Sequence, residues 1–88
     1  MKMMFSGTLL PYLDSQKEIT LQASTVREAL DALIEKYPRV EPMLRDARGE
    51  IRTTHRLFLN HSQLDRSELD ASLENGDLLQ VVTAIAGG

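Results

Sequence analysis

The chain has 88 residues, 42% apolar and 26% charged, with a net charge of −3 and no cysteine. These values describe one small folded domain. They exclude disulfides, thiolate metal sites and a Cys nucleophile, and they leave no electrostatic basis for general nucleic-acid binding. No stretch approaches the ~20 apolar residues of a membrane span. The opening MKMMFSGTLLPYLDSQ breaks at Pro11, too soon for a secretion signal. Together with the lack of cysteine, this points to a cytoplasmic protein.

Met1 to Thr8 is expected to form a strand, with Lys2, Met4 and Ser6 on one face and Met3 and Phe5 on the other. Pro11, Asp14 and Ser15 signal a turn or loop. KEITLQA then alternates, placing Ile19, Leu21 and Ala23 opposite Glu18, Thr20 and Gln22, a half-buried strand hairpinned with the first. At Thr25 the period lengthens. TVRE is a capping-box pattern, and Val26, Ala29, Leu30, Leu33, Ile34 and Tyr37 form one helical stripe that Pro38 stops. Met43 and Leu44 after Pro42 suggest a short helical turn released at Gly49. RLFLN, Arg56 to Asn60, is the next strand, and the polar stretch His61 to Leu73 suggests loop, a brief strand and a 3₁₀ turn. ENGD, Glu74 to Asp77, is a strong turn, and the last strand runs from about Leu78 to Ala84.

One helix stripe and one sheet face must bury each other, which makes a two-layer α+β domain. The helix between the second and third strands, flanked by hairpin-like ends, fits a β-grasp (ubiquitin-like) roll. Its mixed sheet would have four to five strands packed on one main helix. The domain is expected over residues 1–84, with 85–88 as a flexible Gly-Gly tail.

Polar neighbours reveal which strand faces are wet. Met4 shares a face with Lys2 and Ser6, Phe58 with Arg56 and Asn60, and Val82 with Gln80, while Leu79 and Val81 point inward. If the last strand lies between the first and third, Met4, Val82 and Phe58 form an exposed row, a partner-docking patch beside the exit of the tail. Charge is also unevenly placed, basic from Lys36 to Arg56 and acidic from Asp65 to Asp77. Solvated loops and an electrostatic docking surface both account for this.

Catalytic chemistry is hard to find. His55 and His61 have no metal-ligand spacing, and no metal site is expected. Glu68 with Asp70, and Glu74 with Asp77, read as loop and turn residues. The glycines are scattered except at the end, so there is no phosphate loop, and the basic residues lack aromatic interleaving. What remains is the terminus, AIAGG. At a usage of about 7%, two terminal glycines arise by chance in roughly one chain in 200. The uncharged Ala84, Ile85 and Ala86 precede them, and the last four residues extended would reach about 13 Å. Glycine lacks Cβ, so such a stalk can carry a carboxylate down a narrow channel.

The sequence resembles the ThiS/MoaD family of ubiquitin-like sulfur carrier proteins over most of its length. The likeness rests on TVREALDALIEKYP, GEIRTTHRLFLN, LENGDLLQVV and the terminal AIAGG. Its length and the segment YPRVEPMLRDARGE are closer to the MoaD and CysO branch, although MoaD-like tails often carry a proline near the position of Thr83. The resemblance implies that Gly88 is the site of adenylation and thiocarboxylate formation. Gly87, Ala86 and Ile85 would enter a partner's active site, and Met4, Phe58 and Val82 would dock partners. The implied partners are an E1-like adenylyltransferase (MoeB/ThiF-like) that uses ATP and a sulfur-accepting biosynthetic enzyme. The chain itself would be no enzyme, hold no cofactor and bind neither nucleic acid nor membrane. Two other functions stay open: a ubiquitin-like modifier conjugated through Gly88, and a non-catalytic β-grasp interaction domain.

Overall fold

The computed structural model describes residues 1–83. The expected domain end at Ala84 and the tail at 85–88 lie outside the described residues. Five strands form one mixed sheet: β1 (Lys2–Phe5), β2 (Glu18–Thr20), β3 (His55–Leu59), β4 (Ser62–Leu64) and β5 (Leu78–Thr83). Their order across the sheet is β2-β1-β5-β3-β4. β1 runs parallel to β5, and the other pairs are antiparallel. The helix α1 (Val26–Lys36) lies between β2 and β3 in the chain, and the architecture is a β-grasp.

α1 starts where the sequence pattern places it. The Thr25 hydroxyl accepts from the Glu28 N–H at 3.2 Å, with Glu28 in the first turn and Lys36 in the last, each favourable to the helix dipole. Only half of the capping box forms, because the Glu28 carboxylate meets the Thr25 hydroxyl at 3.4 Å. The next two N–H groups are satisfied from elsewhere: Val26 donates to the Ala71 carbonyl at 3.1 Å and Arg27 to that of Leu69 at 2.8 Å. A complete capping box forms instead at Asp65 and Glu68, around the short 3₁₀ turn Arg66–Glu68. The helix ends before Pro38, and a 3₁₀ turn (Pro38–Val40) leads into the one-turn α2 (Glu41–Leu44).

β1 is shorter than expected and β2 stops at Thr20. After Ser6 the chain coils into a 3₁₀ turn, Gly7–Tyr12, instead of continuing to Thr8 as a strand. Leu9 and Leu13, four residues apart, are thereby both fully buried, a spacing that suits a coil and not a strand. They join Met3, Leu79 and Val81 from the sheet and Val26, Ala29, Leu30 and Leu33 from α1 in a single core.

The basic stretch is mostly occupied internally. Arg52 donates to the Pro42 carbonyl at 2.7 Å, and Arg56 to those of Thr53 and His55 at 2.6 and 3.2 Å. Arg66 donates to the carbonyls of Ile51, Arg52 and His55. These guanidinium groups satisfy the carbonyls of an irregular connection that no ladder reaches. Gly49 has φ +81°, and the turn around it is closed by Asp46, whose carboxylate accepts from the N–H groups of Arg48 and Glu50.

At the far end of β5, the ENGD turn is latched to the β3–β4 hairpin. Asn60 and His61 form its two-residue loop, both in the left-handed region, as a right-twisting hairpin requires. The Asn60 side chain donates to Asp77 at 3.0 Å and accepts from the Leu78 N–H at 2.9 Å. The Asn60 amide and then the Glu74 N–H hold the Asp77 carboxyl below the usual aspartate range. Backbone N–H donors do the same for Asp65, from Ser67, and for Asp46, from Glu50.

Leu33→Ala should cost about 2–5 kcal/mol in denaturant unfolding, because the site is fully buried against the sheet. Depressed native carboxyl pKa values give stability that is fully present above the unfolded value near pH 4 and lost as pH falls through the native values. Unfolding midpoints should therefore be level from pH 7 down to about 4.5 and drop by pH 3. Asp77→Asn should shrink that drop, and an equal drop in the variant would exclude the latch as a contributor.

Candidate functional site

The sheet face opposite α1 is built by alternation. Lys2 and Met4 of β1, Leu78, Gln80 and Val82 of β5, and Arg56 and Phe58 of β3 occupy it, while Met3, Leu79, Val81 and Leu57 are buried beneath. β5 does lie between β1 and β3, as the docking expectation required. The register, however, pairs Met4 with Gln80 and Gln80 with Phe58, while Val82 stands opposite Arg56. Met4 and Phe58 therefore flank Gln80 in one row, and Val82 lies one pair nearer the tail, diagonal to both. The expected straight row becomes an apolar ring around a glutamine, with Leu78 completing it. Sequence reasoning passed over Leu78, although its parity with Gln80 and Val82 was visible in the alternation.

Val82 is 37% exposed, against complete burial of its neighbour Val81, so the outward assignment holds. Met4, Phe58, Leu78 and Gln80 are each half-buried. A shallow depression joins Met4, Ser6, Gln80 and Val82. An ion pair between Lys2 and Glu18 at 3.0 Å, half-exposed on both sides, borders this face and contributes little to stability. The patch can exclude water against a flat partner surface, with Gln80 supplying one amide at its centre.

A second cluster sits where β5 ends. Thr83 is the inward-facing residue that follows Leu79 and Val81, and it pairs with His55. Its hydroxyl receives hydrogen bonds from the hydroxyls of Ser6 at 3.0 Å and Thr8 at 2.6 Å. Its N–H donates to the Ser6 hydroxyl at 2.9 Å. His55, the buried polar residue among those described, places Nδ1 3.2 Å from the Thr83 hydroxyl and Nε2 2.7 Å from the Met43 carbonyl. A carbonyl only accepts, so Nε2 carries the hydrogen, and in the neutral ring Nδ1 accepts from Thr83. Sequence reasoning found only that His55 lacks metal-ligand spacing, and it gave Thr83 no inward role. A polar residue at core parity was the available signal.

The other candidates stay apart. Among the described residues no group of three or more His, Asp or Glu could hold a metal ion. His61 is exposed in the hairpin loop. Glu68 caps Asp65 at 2.8 Å and Asp70 pairs with Arg27 at 3.1 Å, so those carboxylates are structural. Among the described residues no helix is long and apolar enough to cross a membrane. Ile85, Ala86, Gly87 and Gly88 lie outside the described residues.

A model of the ThiS family matches residues 3–88. Solved structures share the fold. SAMP1 from Haloferax volcanii aligns with a TM-score of 0.85 at 22% identity, covering 99% of this chain and 97% of that one. A chain of the BexX/CysO complex of Amycolatopsis orientalis aligns with a TM-score of 0.85 at 20% identity, covering 99% and 98%. CysO from Mycobacterium tuberculosis gives 0.84 at 17% identity, covering 96% and 98%. No curated protein sequence matches.

Phe58→Asp and Val82→Asp, on the outer face, should each leave the circular dichroism spectrum unchanged and shift the unfolding midpoint little. Val81→Asp should unfold the domain, because a carboxylate would enter the core without a partner. Unfolding by Phe58→Asp would show that the two faces are wrongly assigned.

Proposed function

Because the chain belongs to the ThiS family, we propose that it is a sulfur carrier activated at its own terminus. What carries this reading is that the family match runs through residue 88 and takes in Gly87 and Gly88. A carboxylate resists nucleophiles until one oxygen becomes part of a leaving group. In the proposed sequence a Gly88 oxygen attacks the α-phosphorus of ATP on an E1-like adenylyltransferase and releases pyrophosphate. Hydrosulfide sulfur then attacks the acyl carbon, AMP leaves with the displaced oxygen, and a thiocarboxylate remains. A sulfur-accepting enzyme takes that sulfur, and hydrolysis restores the carboxylate.

The carrier supplies reach and a recognisable surface, not catalysis. From Thr83 the five residues to Gly88 span at most about 16–18 Å extended. The ring of Met4, Phe58, Leu78 and Val82 is the docking face, and its Val82 is adjacent to Thr83, the last described residue of β5. A structural neighbour comes from a BexX/CysO complex, which supports partnering by this fold.

A second reading, conjugation of Gly88 to lysines of other proteins, draws on the structural likeness to SAMP1, a small archaeal modifier protein. Both readings begin with the same adenylation and diverge at the nucleophile.

Incubation with an E1-like adenylyltransferase, ATP and sulfide should give an intact mass raised by one oxygen-for-sulfur exchange. Deletion of Gly88 should abolish the gain. Isopeptide-linked adducts in place of the thiocarboxylate would favour the modifier, and no change with any such enzyme would remove both readings. Phe58→Asp should raise KM for activation by at least ~10-fold, the effect of losing roughly 1.4 kcal/mol of docking.

A further inference from the structure

We propose that Thr83 is a positioning residue. Held by Ser6, Thr8 and His55, it fixes where and in which direction the carboxyl-terminal segment leaves the sheet. The role rests on the carrier function proposed above.

The end of a strand ordinarily frays. Here the backbone ladder fails on one side at the critical point, because β1 stops at Phe5, paired with Val81, and the chain turns away. Ser6 replaces the missing strand. Its N–H donates to the Val81 carbonyl at 3.1 Å, and its hydroxyl accepts from the Thr83 N–H, where a backbone carbonyl would have stood. On the other side Thr83 pairs with His55, and the Met43 carbonyl orients the His55 ring. The Thr83 hydroxyl accepts twice and donates once, which exhausts its capacity. Ser6 and Thr8 lie more than 70 positions from Thr83 in the chain, and His55 lies 28 away, so two separate parts of the fold converge on one side chain.

Packing alone does not require this arrangement. Leu79 and Val81 fill the two preceding inward positions of β5 with apolar groups, and a valine would fill the third with no partner to find. Apolar contact is non-directional, whereas hydrogen bonds from three directions specify an angle. A β-branched side chain adds stiffness at χ1. Directional control matters most at the last strand residue before a segment that must thread a partner's channel. Each backbone residue released from the strand would have to be ordered again on insertion, a loss of about tenfold in productive complexes per residue.

The test compares Thr83→Val, Thr83→Ser and Ser6→Ala in the full chain. By NMR, the amide at position 83 should exchange at least ~10-fold faster in Thr83→Val and Ser6→Ala than in the wild type. With an E1-like adenylyltransferase, Thr83→Val should lower kcat for adenylation about tenfold and leave KM within about twofold, because the docking face is untouched. Thr83→Ser, which keeps the hydroxyl, should restore both readouts. Should Thr83→Val fail to fold, Ser6→Ala carries the same comparison with the threonine intact. Unchanged exchange would overturn the clasp. Faster exchange with kcat intact, or a change in KM alone, would overturn the positioning role. A wild type that no such enzyme activates would remove the carrier function and this role with it, while exchange still judges the clasp.

Discussion

Everything in this domain depends on the parallel pairing of β1 with β5. Parallel neighbours cannot be joined by a tight turn and need a crossover. Here the crossover contains α1, the arginine-stitched connection and the β3–β4 hairpin. Placing β5 between β1 and β3 buries Leu79 and Val81 completely and turns Gln80 and Val82 to the opposite face. The same pairing points β5 at the edge where Ser6, Thr8 and His55 wait. The core, the outer sheet face and the cluster at Thr83 therefore share one cause.

Much of the fold was legible because periodicity and punctuation agreed. The change from alternation to a helical stripe at Thr25, the stop at Pro38 and the turn before Asp77 all appear in the structure. Failures occurred where long-range contacts decide. Nothing local says that Ser6 ends β1 or that Gly7–Tyr12 coils, since burial of Leu9 and Leu13 requires a core that only the whole chain supplies. The basic stretch looked like a surface feature because composition does not show which groups engage its guanidinium groups, such as the Pro42 carbonyl for Arg52 and the Asp31 carboxylate for Arg45.

The exposed face was legible as a set of residues but not as a pattern. Alternation sorts Met4, Phe58 and Val82 outward. It cannot reveal the offset between strands, and that offset makes Gln80 the centre. The cluster at Thr83 was less visible still. Four common residues from three places in the chain, dozens of positions apart, carry no motif, and the only hint was a hydroxyl at an inward position of an otherwise aliphatic strand.

The central place of β5 has a consequence for the order of events in the life of the molecule. Residues 78–83 are the last to be added among those described, yet β1 and β3 have no partner on their inner edges without them. A growing chain can form α1 and the β3–β4 hairpin early, since their contacts are local. The two halves of its sheet, β2-β1 and β3-β4, are joined only through β5, and without it the inner edges of β1 and β3 present unpaired backbone groups. A chain that lacks β5 has neither the assembled outer face nor the cluster that Thr83 makes with Ser6, Thr8 and His55.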